Sequence, residues 1–469
     1  MLLPHLSSQS QEGFHQAWLS EPFILHQNEE KALTRKEVFL AAEQFRKLLF
    51  DKNHNSHFSL LLLYQQRHHF LIALLAVAMQ KGRVVLPPNL ADKTLSNLKV
   101  DMPELMVLSD DLPHSLESQN QIQSVEIDKV IQGVKDSNTE ISDQWLSDTL
   151  ESIQDSEIWL YTSGSTGLPK KIIKTWRNMI NSAELAIERF SLMEPCYMVT
   201  TVPSQHMFGL ETSIFWPLFS RASIWFDKPM FPEEIVHALN ANKGQPSLLV
   251  STPLHIKNLV SSSTEWPNSL SRLLSATAPL TRELALQAEC EMNVSVFEVY
   301  GSTETASIAS RQTAQSDVWQ CYSGVRFTKT RDGGVLVKTK GLDSFQPLND
   351  KIECLDEASF RLGKRSTDLI KVAGKRASLS EINTHLQGIS GIVEGVFIQC
   401  KTSERLAVFV VSTLPKSDIL AELRKCIDPS FLPRSIFYMP KLPRNELGKV
   451  LYSDLFEMLP RKILRMFNE

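Results

Sequence analysis

Short apolar runs alternate with amphipathic helical stretches through most of the chain, a pattern that predicts layered α/β structure. FSLLLLY (58–64) predicts a buried strand, His68 to Gln80 a helix, RVVLPP (83–88) the next strand and LMVLSD (105–110) another. Leu112 to Ser156 is polar and acidic and reads as a surface connection, with SVEID as its one candidate strand. A second series follows, opening on EIWLYTS (157–163) and KKIIKTW (170–176), two strand-like segments that flank a loop of Gly, Ser and Thr. YMVTTVP, ASIWFD, PSLLVSTP, RLLSATAP and VFEVYGS then recur, with helical patterns such as PEEIVHALNAN and TRELALQAECEM between them. Strand ends that open onto Ser, Thr and Gly are where open α/β sheets place ligands. From about Val335 the pattern turns to short β segments. A compact α+β module then begins near Arg365, with a helix at Leu379 to Leu386 and strands around Gly395 to Cys400 and Leu406 to Val411. The expected architecture is a large α/β domain over 1–364, built of layered subdomains plus a β segment, and a small α+β domain over 365–469.

The length supports this division, since 469 residues exceed what one hydrophobic core holds. With 42% hydrophobic and 22% charged residues the chain is that of an ordinary globular protein. A net charge of -4 excludes the basic excess of a general nucleic-acid binder. The charge is uneven, however: 16 Lys+Arg stand against 11 Asp+Glu from Arg365 onward, and 33 against 42 before it. A basic small module suits an anionic partner, such as a phosphate or an acidic carrier protein. The six cysteines form no C-x-x-C pair and fit a reducing compartment. Leu71 to Met79, within the longest apolar run, is far short of a membrane span, and the N-terminus shows no basic segment followed by an apolar core. A cytoplasmic protein is the expectation.

The strongest chemical signal is TSGSTGLPK, from Thr162 to Lys170. Thr162, Ser163, Ser165 and Thr166 offer hydroxyls, Gly164 and Gly167 expose backbone N–H groups, and Lys170 adds a cation. Together they suit a polyphosphate. The spacing is not that of a Walker A loop. VYGSTET (299–305) places an aromatic ring, a hydroxyl and a hard carboxylate within five positions, at Tyr300, Thr303 and Glu304. Such groups suit a base, an oxyanion and a hard cation respectively. SATAPL (275–280), QHMFGLE (205–211), PLNDKIE around Asp350, KRSTDLIKVAGKRASLSEI (364–382) and LPRNELGKVLYSDL (442–455) complete the set.

In this order the motifs resemble those of the adenylate-forming superfamily, which includes acyl-CoA synthetases, nonribosomal adenylation domains and luciferases. Tyr161 to Lys170 meets every position of its Y-T-S-G-[ST]-T-G-x-P-K loop. The resemblance runs from about Leu33 to near the chain end. It implies that Tyr300 packs on adenine, flanked by Gly301 and Ser302, that Thr303 donates to the α-phosphate, and that Glu304 holds Mg²⁺. Ser275, Ala276, Thr277 and Ala278 lie beside adenine and the acyl group on this reading. His206, Phe208 and Gly209 border the carboxylate pocket, with Ser251 and Thr252 alongside. Asp350 takes the ribose-binding position, Arg365 that of a nucleotide-binding arginine, and Gly374 that of a glycine beside the thiol tunnel. Lys449 is the candidate catalytic lysine, carried on a mobile C-terminal domain. The pattern departs at Lys364, which replaces a glycine, at Thr367, where many members have a hinge aspartate, and at Trp176, in a place often held by histidine.

The implied reaction is ATP-dependent conversion of a small carboxylic acid to its acyl-adenylate, with release of pyrophosphate, then acyl transfer to a thiol. Mg²⁺ is the expected metal. The acceptor is left open between coenzyme A and the phosphopantetheine of an acyl carrier protein. The alternative is a nucleotide- or acyl-binding regulator that keeps the fold without turnover.

Overall fold

A computed structural model describes residues 12–27, 31–50, 58–87, 94, 98, 100–102, 105–109, 127–137, 139–162, 170–242, 244–331, 333–363, 369–372, 375–399, 406–444, 450 and 455. The chain divides into two compact units. The first comprises Met1–Phe327, Val337–Gln346 and Asp356–Ser359, the second Thr328–Leu336, Pro347–Leu355 and Phe360–Glu469. The division expected at 364/365 falls inside the last of these segments.

Two largely parallel sheets carry the described residues of the first unit that matter to the site. In one, the strands run in the order Met106–Leu108, Ser59–Leu62, Arg83–Leu86, Glu157–Thr162 and Lys170–Thr175. All neighbours are parallel except the last pair, an antiparallel hairpin with Thr162 opposite Lys170. The helix Arg67–Met79 packs on this sheet and is buried from Arg67 to Ala78, which explains its almost continuous apolar sequence. In the other sheet, Ser295–Ser302, Leu270–Ser275, Ser247–Ser251, Cys196–Thr200, Ala222–Trp225 and Pro22–Leu25 lie side by side and parallel. Ala306–Arg311 and Val318–Cys321 extend it antiparallel beyond Ser295–Ser302. Strands Cys196–Thr200 and Ser247–Ser251 are buried at every position, as parallel strands covered on both faces must be. Tyr197, Leu249, Leu273 and Val296 anchor a core with Ile256, Leu259 and Ala285 from the covering helices.

The helix Arg35–Leu49 opens with a reciprocal cap, in which Glu37 N donates to Thr34 Oγ1 at 3.2 Å and Thr34 N donates to Glu37 Oε2 at 2.7 Å. Its first residue, Arg35, is wholly buried. The guanidinium donates to the carbonyls of Pro217 (3.0 Å), Ser220 (2.8 Å) and Ala222 (2.8 Å) and lies over the rings of Trp18 and Phe23. Burial pulls its pKa down to about 9, still charged at neutral pH. One cation thus serves three carbonyls of the segment that runs from the helical turn at Pro217 into the strand at Ala222.

One expectation is corrected. The polar stretch read as a surface connection carries two helices, Ile127–Asp136 and Asp143–Ser152. Ile127, Val130 and Val134 are buried at helical spacing and Leu146 and Leu150 likewise, but the many charges between them dilute the apolar signal. Of the candidate strand SVEID, Ser124, Val125 and Glu126 lie outside the described residues, and Ile127 and Asp128 are helical.

In the second unit the hairpin Leu369–Val372/Lys375–Ser378 leads into the helix Leu379–Gln387, where the sequence predicts one. A three-stranded sheet follows in the order Ile392–Gln399, Leu406–Ser412, Ser435–Tyr438. One face packs Phe397 and Val408 against Ile382, Leu386, Ile419 and Leu423, and the other packs Ile398 and Phe409 against Leu442 and Leu455. Among the described residues, no helix is long and apolar enough to cross a membrane.

Candidate active site

The parallel strands of the larger sheet run in register, with Ser251 opposite Ser275 and Ser275 opposite Glu298. Their C-terminal ends therefore bring Ser251–Thr252, Ser275–Ala278 and Tyr300–Glu304 to one edge, where the loop Thr201–His206 also emerges. Such an edge is where an α/β sheet holds its ligand.

Tyr300 is nearly buried, its ring 5.4 Å from that of Trp319. Gly301 allows the turn beyond it, since a Cβ there would stand 2.1 Å from the Ala306 carbonyl oxygen. Ser302 and Thr305 lock the turn: Ser302 N donates to Thr305 Oγ1 at 3.0 Å and Thr305 N to Ser302 Oγ at 3.2 Å. Thr303 and Glu304 sit between these fixed ends, part-exposed at the tip.

Three hydrogen-bonded links tie this turn to the other motifs. Lys170 Nζ donates to Glu304 Oε1 at 2.9 Å. Lys174, on the same strand and the same face, donates its ammonium to the Glu304 carbonyl. Glu211 accepts from Ser307 N at 3.0 Å and from Ser307 Oγ at 2.9 Å, which fixes the segment after His206 to the strand that follows the turn. The hairpin bearing the Ser/Thr/Gly loop, the His206–Glu211 segment and the Tyr300–Glu304 turn are thus one assembly. Burial would raise the Glu304 carboxyl, but its bond to Lys170 and its own backbone N–H outweigh that and hold it below its ordinary value.

His206 is the N-cap of the short helix Met207–Leu210, with Phe208 and Gly209 buried behind it. Gly209 is required by close packing, because a Cβ would lie 1.9 Å from the Pro203 carbonyl oxygen. The helix continues as a π-turn over Glu211–Phe215, a distortion common at functional sites. Thr277 adopts φ 77°, strained for a β-branched residue. Its Oγ1 and Ser275 Oγ are buried with no partner among the described residues. Orphaned hydroxyls on a strained loop fit a segment shaped for a polar ligand rather than for its own packing. Ser251 and Thr252, by contrast, have local employment. Ser251 Oγ lies 2.9 Å from Thr201 Oγ1 and 3.2 Å from His255 Nδ1, and Thr252 caps the helix Pro253–Val260.

Of the other candidates, Asp350 is half-buried and belongs to the second unit. Residues 163–167, Arg365, Gly374 and Lys449 lie outside the described residues, as does the side chain of Thr162. For a divalent cation the fitting group is the Glu304 carboxylate, a hard oxygen donor beside the hydroxyl-bearing Thr303, already answering a positive charge from Lys170.

Sequence reading missed Lys174 and Glu211. Lys174 is buried, and that burial lowers its pKa to about 8 against the pull of Glu211, Glu304 and Asp343. Glu211 is buried too, and burial raises its pKa to about 7 against the bonds from Ser307 and the charge of Lys174. Both left traces. Strand alternation sets Lys174 on the face of Lys170, and Glu211 is the single charge within HMFGLETSIFW.

Glu211 makes a pH prediction. Because its folded carboxyl titrates above the ordinary 4.5, protonation favours the native state. Its stabilisation is complete below that value and is lost as pH rises through about 7. Lys174 acts in the opposite sense at higher pH, its contribution lost as pH falls through about 8. Glu211→Gln is therefore expected to lie within about 1 kcal/mol of the wild type in urea unfolding at about pH 5. At about pH 8 it should exceed it by about 3 kcal/mol. A difference independent of pH would show that Glu211 carries its charge at no cost.

A family model described as "AMP-binding enzyme" matches residues 16–329. The 3-hydroxybenzoate–CoA/4-hydroxybenzoate–CoA ligase of Thauera aromatica is 24% identical over 360 residues, covering 66% of this chain and 68% of that protein. The 2-succinylbenzoate–CoA ligase of Oceanobacillus iheyensis is 26% identical over 333 residues, covering 63% of this chain and 68% of that one. Among solved structures, the O-succinylbenzoate coenzyme A synthetase of Bacillus subtilis in complex with AMP superposes with a TM-score of 0.78 at 18% identity. The match covers 97% of this chain and 98% of that chain, and it fixes the fold.

Proposed function

The chain belongs to the AMP-binding enzyme family, and we propose that it is an AMP-forming acid–thiol ligase: it converts a carboxylic acid to the acyl-adenylate with release of pyrophosphate, then passes the acyl group to a thiol. The observation that carries this is the linked assembly of the Lys170 hairpin, the Glu304 turn and the His206–Glu211 segment at one sheet edge.

A carboxylate is a poor acyl donor because its leaving group would be oxide. Joining it to AMP replaces that group with a stable phosphate. The attack of a carboxylate on the α-phosphorus brings two anions together, so the site must neutralise charge as it develops. We assign the Thr162–Lys170 loop to the departing β,γ-phosphates, Thr303 to the α-phosphate and Tyr300 with Ser275–Ala278 to the base and acyl border. Asp350 and Arg365 are assigned to the ribose and nucleotide, and Gly374 to the thiol approach. Glu304 would hold Mg²⁺, which when bound supplies positive charge to the phosphates. Lys449 is assigned to the carboxylate and α-phosphate, where a flexible point charge can follow the reaction. On this reading 1–364 binds nucleotide and acid, and 365–469 carries the lysine and the thiol face.

The acid we favour is aromatic, on the strength of the benzoate- and succinylbenzoate-activating relatives, and coenzyme A is the acceptor their names support. A phosphopantetheine carrier is the second reading, favoured by the excess of 16 Lys+Arg over 11 Asp+Glu from Arg365 onward. Acid-dependent pyrophosphate release, measured across benzoates, aryl-substituted acids, dicarboxylates and fatty acids, tests the proposal. Free coenzyme A and a pantetheinylated carrier are then compared as acceptors. Release with at least one acid and thioester formation are expected. Silence across the panel, with nucleotide still bound, would favour a non-catalytic regulator.

A further inference from the structure

The helix Arg67–Met79 begins with two adjacent histidines, and both are buried: His68 is 8% exposed and His69 7%. Their rings lie 4.2 Å apart, walled by Phe226 and Tyr64. Both Nε2 atoms turn towards one carboxylate oxygen, Asp128 Oδ1, in the first turn of the helix Ile127–Asp136. His69 Nε2 is 3.1 Å from it and makes a hydrogen bond. His68 Nε2 is 3.9 Å away, too far for one. The other nitrogen of His68, Nδ1, is buried with no partner among the described residues. His68 Nε2 therefore faces a carboxylate oxygen at a spacing too long for a hydrogen bond and open to an ion placed between them.

A metal ion accounts for the geometry. One donor atom from each of His68, His69 and Asp128 lies within 4.8 Å of the others. A tetrahedral Zn²⁺ with bonds of about 2.0–2.1 Å sets its ligand atoms roughly 3.4 Å apart, so adjustments of about 1 Å complete the site. Asp128 can supply them, since its side chain is 79% exposed while the imidazoles are held. The positive end of the helix opposes a cation, and the Asp128 carboxylate offsets it.

We propose that His68, His69 and Asp128 form a divalent transition-metal site, selective for Zn²⁺ over Mg²⁺ by its two imidazoles, with water in the remaining position. The site is separate from Glu304 and its expected Mg²⁺. It would fasten the helix Ile127–Asp136 to the start of the helix Arg67–Met79. Tyr64, just before that start, accepts through its carbonyl from Gln205 Nε2 at 2.7 Å, and Gln205 adjoins His206.

The test uses the full chain stripped with a chelator and titrated with Co²⁺, then Zn²⁺, in the presence of excess Mg²⁺. One equivalent of Co²⁺ should give the intense visible absorption of a four-coordinate ion, abolished by Zn²⁺. The double variant His68→Gln/His69→Gln should bind at least about 100-fold more weakly. Asp128→Asn should also weaken binding, and since the residue is exposed this variant keeps the fold, which circular dichroism verifies. No Co²⁺ spectrum in the wild type, or the same spectrum and affinity in Asp128→Asn and the double variant, would overturn the proposal.

Discussion

Lys449→Ala is expected to lower acid-dependent ATP–pyrophosphate exchange by roughly 100- to 1000-fold, the usual cost of removing one charge-stabilising contact from a transition state. The fold should survive, because the chain on either side of this segment is held by other residues. Leu442 and Leu455 are buried in the sheet's outer core, Arg444 pairs with Glu394 at 2.9 Å, and Arg444 bridges to Val450. The alternative, a lysine that is simply solvated, predicts a change within about twofold, as for surface substitutions in general. Two assays separate the roles. Exchange reports adenylate formation, where Lys449 is assigned. Thioester formation from chemically prepared acyl-adenylate skips that step, and the variant should retain most of it. Equal loss in both assays would show that Lys449 does not act in the first half-reaction specifically, and wild-type exchange would remove it from the site.

The sequence makes the reaction more legible than the pocket. TSGSTGLPK and VYGSTET are contiguous strings whose chemistry is local: hydroxyls, glycines, one ring and one carboxylate at fixed spacing. The strands that carry them are legible for the same reason, since a buried parallel strand is a short apolar run. Lys174 and Glu211 escaped because a charged residue looks solvated until its partner is known. For Glu211 that partner is Ser307, far along the chain and brought near only by the sheet. The helices Ile127–Asp136 and Asp143–Ser152 were hidden by the opposite effect, too few apolar residues among many charges, although those few are buried. Thr277 shows a third limit. Its hydroxyl is a plain letter in SATAPL, and only its backbone strain and unpartnered oxygen set it apart from an ordinary turn.

Glu304 is where magnitude decides between a structural and a functional carboxylate. Its ion pair with Lys170 is half in solvent, the lysine side chain 63% exposed. Exposed pairs of this kind contribute about 0–1 kcal/mol, so Glu304→Gln should scarcely change stability. If Glu304 only held Lys170 in place, exchange would fall by no more than about fivefold, the kinetic equivalent of that energy. If it answers the metal's charge at the phosphates, exchange should fall by roughly 100-fold or more, and the Mg²⁺ concentration for half-maximal rate should rise. The amide keeps the shape of the carboxylate, and the turn keeps its own locks through Ser302 and Thr305 and its carbonyl bond from Lys174. A large loss therefore reports charge rather than misfolding. Lys170→Met offers the control: it removes the same ion pair but leaves the carboxylate, so its exchange should fall with the lost phosphate contact while its Mg²⁺ requirement shifts less than that of Glu304→Gln. A shift of the same size in both variants would assign the effect to the pair, and Glu304 would lose its place as the metal's ligand.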